Sequence, residues 1–319
     1  MNVELKSAIN QHLPFIDGLL ANRHVPVFER YMRAASIFVN SFFEFSSINA
    51  KAEFLKSIIY IEEILPIVND WYWDRYGELA RHPKRNPYSG LLTLYGQPIR
   101  VKIPANTIRI EVPDESAWFT YPDHLLDSES IATMIEPKVD LEKLDRRVKD
   151  NLITQAGLIV SWTRKINLYI NMASRLDDES RNMANGIWPH FEQAISNILS
   201  FKSELASTAC WELHIAIEKS LKVLIKDKCN EKASGHCLNT LSNKAKLYVS
   251  GLNTDLVRKF PSAKDAIKSR YAEMPISTYK ALEYYKIALE QVRDITKWLE
   301  RDLIIDNGSI LLKKHPLAR

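Results

Sequence analysis

The chain is poor in cysteine and glycine, has no long apolar run, and carries no large excess of charge of either sign. Each shortage excludes something. Three cysteines in 319 residues, Cys210, Cys229 and Cys237, are odd in number and lack CxxC spacing. That argues against a disulfide framework and against a structural zinc site. Nine glycines form no phosphate-cradling loop and no Walker motif, so no cofactor and no metal are implied. No apolar stretch approaches the roughly 18–20 residues that span a bilayer. The opening MNVELKSAINQHLPFI places acidic and polar residues where a secretory signal would be apolar. A cytoplasmic protein without a membrane partner is therefore expected. The net charge of +4, from 43 basic and 39 acidic residues, is too small to mark a nucleic-acid binder by its total. Distribution has to decide.

What is present reads as helix. Abundant Leu, Ile, Ala and Lys with little Gly favour it. Residues 2–22 carry Leu5, Ile9, Leu13, Ile16 and Leu20 on one stripe, and 26–45 and 50–69 continue in that style. WYWDRYGELARHPKR follows, aromatic and basic, and Pro83 and Pro87 end it. From 91 the period changes to two. Ile99, Val101 and Ile103 alternate with Arg100 and Lys102, and Ile108, Ile110 and Val112 alternate with Arg109 and Glu111. With Pro104-Ala105-Asn106 as a turn, 91–113 reads as a small hairpin or meander. Helix returns over 139–175, and the DDESRN cluster near 178 suggests a domain boundary. The expected fold is mainly α: a helical domain over 1–178 with its β insertion, then an up-and-down helical bundle over 179–319.

The second half is the more patterned. WPHFEQAISNILSFK gives one helix. ELASTACWELHIAIEKSLKVLIKDK gives another, with Cys210, Leu213, Ile217, Leu221 and Leu224 facing the core and Glu218 paired at i,i+4 with Lys222. SGHCLNTLSNKAKLYV supplies a third, with Leu238, Leu241 and Ala245 inward and Cys237 as a small core residue. SAKDAIKSRYAEMP is a short helix stopped before Pro275. The last, 277–303, is N-capped by Ser277 and carries Leu282, Tyr285, Leu289, Val292, Thr296, Leu299 and Leu303 at spacings of three and four.

Three fragments in this order resemble the HEPN family, the higher eukaryotes and prokaryotes nucleotide-binding domain. AIEKSLKVLI resembles its Glu-x-x-x-Lys helix through Glu218 and Lys222. SGHCLNTL resembles its Gly-His-x-Leu-x-x-Leu opening through His236, Leu238 and Leu241. SRYAEMP resembles its Arg-Tyr dipeptide through Arg270 and Tyr271. The resemblance covers about 185–305 and leaves 1–178 unassigned. It implies a bundle that forms a homodimer and binds nucleotide or RNA at Lys222, His236, Arg270 and Tyr271. It further implies a setting in toxin–antitoxin or phage-defence systems, with a separate nucleotidyltransferase or antitoxin as partner.

Many members of that family are metal-independent ribonucleases that pair an Arg with a following His, four to six residues lying between them. The Arg stabilises phosphate charge and the His moves the ribose 2′-OH proton. Here Arg270 is followed by Tyr-Ala-Glu-Met-Pro-Ile-Ser, without His. Glu273 is the only nearby acid–base group, and ion pairing with Arg270 is its plainer role. Binding is thus the leading expectation. An RNA endonuclease with a non-standard site, or a dimerisation adaptor, is the alternative.

One Arg and His with the family's spacing do occur, Arg75 and His82, although a chain like this offers about one such match by chance. They lie in the aromatic–basic segment, where Trp71, Trp73, Arg75, Arg81, Lys84 and Arg85 combine stacking rings with cations. Single-strand binding proteins use that combination. The plainer account puts the tryptophans in a core and the cations in solvent. His214 and Glu218, at i,i+4, are read as a side-chain hydrogen bond rather than a metal pair.

Overall fold

The computed structural model describes residues 3–81, 87–113 and 115–313. It is mainly α, with N-terminal helices and small antiparallel sheets, as the periodicities predict. Two compact units divide it, residues 1–85 and 86–314.

In the first unit, α1 (Val3–Asn22), α2 (Val27–Phe42), α3 (Ile48–Phe54) and α4 (Leu65–Tyr76) follow one another, with a π-helical turn at Ile59–Ile64 leading into α4. Of the predicted stripe of α1, Ile9, Leu13, Ile16 and Leu20 are buried with Phe38, Val39, Ile64 and Tyr72, and Leu5 is partly buried against them. Polar order inside this unit comes from Asp17, which accepts from Arg30 at 3.1 Å and from the Tyr76 hydroxyl.

The second unit opens with β1 (Tyr88–Leu94) and β2 (Gln97–Ile103), an antiparallel hairpin turned by Tyr95-Gly96. Both turn residues have positive φ, the geometry of a tight primed turn. Strands β3 (Thr107–Val112) and β4 (Ser116–Thr120) form a second hairpin. Next come a short α5 (Ile131–Met134) and β5 (Ile135–Glu136). The chain then runs α6 (Arg146–Met172), α7 (Asp178–Asn185), α8 (Ile187–Leu199), α9 (Ser203–Cys229), α10 (Leu238–Tyr248), α11 (Ala263–Arg270), α12 (Thr278–Thr296) and β6 (Ser309–Lys313).

Three expectations are corrected. Pro104-Ala105-Asn106 does not turn one hairpin: β2 pairs with β1 and β5, whereas β3 pairs with β4, and β6 completes that second sheet. Arg100 and Lys102 therefore belong to a different sheet from Arg109. The boundary falls near 85 rather than 178, because β1 packs on α6 and α8, and residues from Leu91 to Leu299 share one core. At Gly90 an added Cβ would lie 2.7 Å from Ile159 of α6, so only glycine permits this approach of strand to helix. Finally, α12 ends at Thr296 and leaves Leu303 exposed, while Leu282, Tyr285, Leu289, Val292 and Leu299 are buried as predicted.

Helix α9 is the axis of the second unit, packed by α8, α10, α11 and α12. Its core stripe of Cys210, Leu213, Ile217, Leu221 and Leu224 is fully or almost fully buried. Each such Leu or Ile contributes on the order of 1.5–3 kcal/mol. Burial also pushes the Cys210 thiol up to about 12, which leaves it an unreactive packing group.

Candidate functional site

A second stripe runs down α9 beside the apolar one. Ser207, Trp211, His214, Glu218 and Lys222 recur at spacings of four, three, four and four, so they lie on one helical face. Ser207, His214 and Glu218 are buried there, which is unusual for polar groups and requires partners.

Those partners come from the loops that lead into α10 and out of α11. Ser207 donates its hydroxyl to the Met274 carbonyl at 2.6 Å and accepts from the Ile276 N–H at 3.2 Å, which pins the segment after α11 onto α9. His214 Nε2 is 3.1 Å from the His236 carbonyl. A carbonyl only accepts, so this nitrogen carries the proton and the buried Nδ1 is left with an unpartnered lone pair. Burial holds the His214 pKa below its ordinary 6.5, against weaker upward pulls from that carbonyl bond and from Glu218.

Glu218 is the hub. Its carboxylate accepts from Lys222 Nζ at 2.7 Å and lies 3.0 and 3.1 Å from His236 Nδ1. The Glu218 side chain is 6% exposed, Lys222 16% and His236 65%. A buried acid thus holds one ammonium, and it orients an imidazole that is largely exposed. Cys237 is the N-cap of α10 and is exposed, not a core residue as expected, because the cap position precedes the buried stripe that begins at Leu238. The Thr240 hydroxyl and backbone N–H hold the Cys237 thiol below its usual value.

The other end of the stripe is cationic. The Arg270 guanidinium, at the last residue of α11, lies 5.5 Å from the Trp211 ring centroid and 5.5 Å from that of Tyr271. Trp211 is nearly parallel to His214, with centroids 6.2 Å apart. Among the described ion pairs none includes Arg270, and Glu273 does not pair with it. So Lys222, His236, Arg270 and Tyr271, chosen from sequence, are joined through Trp211, His214 and Glu218. The sequence reading passed over Trp211. Its place four residues after Ser207 and three before His214 puts it on the polar face, but the spacing alone does not show that it meets Arg270.

Length decides what this arrangement can do. From Trp211 to Lys222 the helix rises about 16 Å, room for up to five stacked nucleotides at roughly 3.4 Å each. From Trp211 to Glu218 it rises about 10 Å. A group that moves a proton must come within about 3 Å of it. Arg270 and His236 therefore contact the stripe at residues seven positions apart, Trp211 and Glu218.

Neither family models, curated proteins nor solved structures match the chain.

The aromatic–basic segment belongs to the first unit. Arg75 lies over Trp71 at 5.2 Å and Tyr76 at 5.7 Å, and Arg81 over Trp73 at 4.3 Å. Arg81 also pairs with Glu78 at 3.2 Å. Asp70 and Asp74 share a recess of about 370 Å³ with Trp71 and Arg75. His82, Lys84 and Arg85 lie outside the described residues, and with them the proposed partner of Arg75. Among the described residues no cluster of three or more His, Cys, Asp or Glu could hold a metal ion, and no helix is long and apolar enough to cross a membrane.

Proposed function

We propose that the α9 face from Trp211 to Lys222 is a binding site for single-stranded RNA or nucleotide in a HEPN-like bundle. The observation that carries this reading is Arg270: an exposed guanidinium with no carboxylate partner among the described residues, held over two rings at one end of a polar stripe. Arginine so placed meets phosphate, and Tyr271, 62% exposed, is free to stack on a base. Lys222 and His236 extend the positive and hydrogen-bonding edge toward the far end. The bundle acts as a homodimer in this reading, with a toxin–antitoxin or phage-defence role and a separate nucleotidyltransferase or antitoxin as partner.

A second reading rests on His236. A largely exposed imidazole oriented by a buried carboxylate has the makings of a general base, so an RNA endonuclease of non-standard geometry is the alternative. End-labelled single-stranded RNA incubated in EDTA with the parent and with Arg270→Ala separates the two. A shifted, uncut RNA that the variant releases supports binding. Cleavage by the parent that is lost in His236→Ala overturns binding alone in favour of the endonuclease. RNA neither shifted nor cut overturns both.

A further inference from the structure

A second cleft lies elsewhere in the same unit, where the β1–β2 turn, the first turns of α6 and the first half of α12 meet. It encloses about 650 Å³, within the range of small-molecule sites. At its wall Lys286 is half-buried. Its ammonium is 3.1 Å from Thr93 Oγ1 and 3.4 Å from Gln155 Oε1, both neutral oxygens. Gln155 is itself fixed, since it accepts from the Thr93 N–H at 3.1 Å and donates to the Thr93 carbonyl at 3.2 Å. Desolvation lowers the pKa of Lys286, partly offset by Glu283. That carboxylate is committed to Lys280 at 3.0 Å. Arg147 lines the same cleft and, among the described ion pairs, has no acid. The cleft is lined by one carboxylate, Glu283, which is held by Lys280, and by two cations that make no ion pair among the described residues, one of them partly desolvated in a rigid setting.

Its rim is aromatic. Tyr95 is 69% exposed and Tyr279 63% exposed. Tyr95 also has φ +49, in a turn position that Asn or Gly fills without strain. A large exposed ring held in a disfavoured conformation at the lip of a cationic cleft has no packing role to explain it.

We propose that this cleft binds a ring-bearing organic phosphate, with the phosphate between Lys286 and Arg147 and the ring against Tyr95 and Tyr279. The site is separate from the α9 stripe and does not depend on its function. Adenosine monophosphate, adenosine and inorganic phosphate, each titrated calorimetrically into the full chain, test it. Saturable binding of the monophosphate is expected, with adenosine and phosphate each at least tenfold weaker. Lys286→Met should weaken it at least tenfold and Arg147→Gln severalfold. Because Arg147 is exposed, its variant retains the fold even where the Lys286 variant does not. Absence of saturable binding overturns the proposal. Equal affinity for adenosine, equal affinity for phosphate, or indifference to Arg147→Gln does so as well.

Discussion

The α9 stripe and the end of α4 contain the same ingredients, tryptophan, tyrosine and arginine, yet their charges are arranged differently. Around α4 the arginines lie over their own rings with Asp70, Asp74 and Glu78 close by. On the α9 stripe the acid is Glu218, which is buried and already bonded to Lys222 and His236, so Arg270 keeps its rings and has no ion-pair partner among the described residues. Residue types alone do not make an anion site. What matters is whether the nearby carboxylates are occupied elsewhere.

The sharpest way to break this comparison is Glu218→Ala. It leaves the Lys222 ammonium partly buried and unpaired and releases His236, so urea unfolding should show a loss of about 3 kcal/mol. A loss below about 1 kcal/mol would mean that Glu218 is not the hub. Next is Arg270→Ala, for which a tenfold weaker RNA affinity and a salt dependence shallower by about one ion are expected in filter binding. Arg75→Ala and Arg81→Ala should stay within about twofold of the parent. If either exceeded the Arg270 effect, the α4 segment would be the interface and the ranking would reverse.

A smaller effect concerns pH. The folded state holds His214 below 6.5, so between that folded value and 6.5 the unfolded chain binds the additional proton. Stability is undiminished above 6.5 and falls as pH drops through 6.5 toward the folded pKa. Unfolding at pH 7.5 and 5.5 should show this loss in the parent and a smaller one in His214→Gln. Equal losses would remove His214 as the cause. Smallest of all is Arg81→Ala, which breaks one cation–π contact and one exposed ion pair, and should shift stability by about 0.5–1 kcal/mol.

Much of the fold was legible because its signals are local. The stripe of α1, the core stripe of α9, the Ser277 cap and the inward positions of α10 all follow from a 3.6-residue period and from side chains that reach backbone three residues on. The site was legible in part. Lys222, His236, Arg270 and Tyr271 were nameable from short patterns, but Trp211 was not, since nothing within a few residues distinguishes a tryptophan that faces an arginine 59 positions away from one that faces a core. The β region failed for the same reason. Ile108, Ile110 and Val112 alternate as a half-buried strand should, yet all three are exposed: β3 packs chiefly on β4 of its own sheet, which β6 completes nearly two hundred residues further on.

By itself, then, the sequence determined where the helices lie and which of their faces are apolar, because helical hydrogen bonds close within four residues and burial follows their period. The tertiary structure decided the rest: that β1, β2 and α6 share a core with α8, α9, α10 and α12, that Glu218 is occupied by Lys222 and His236, and that Arg270 meets Trp211 with no ion-pair partner among the described residues. Those outcomes depend on contacts between segments far apart in the chain. Packing, not local pattern, selects which partners a charge or a strand edge receives.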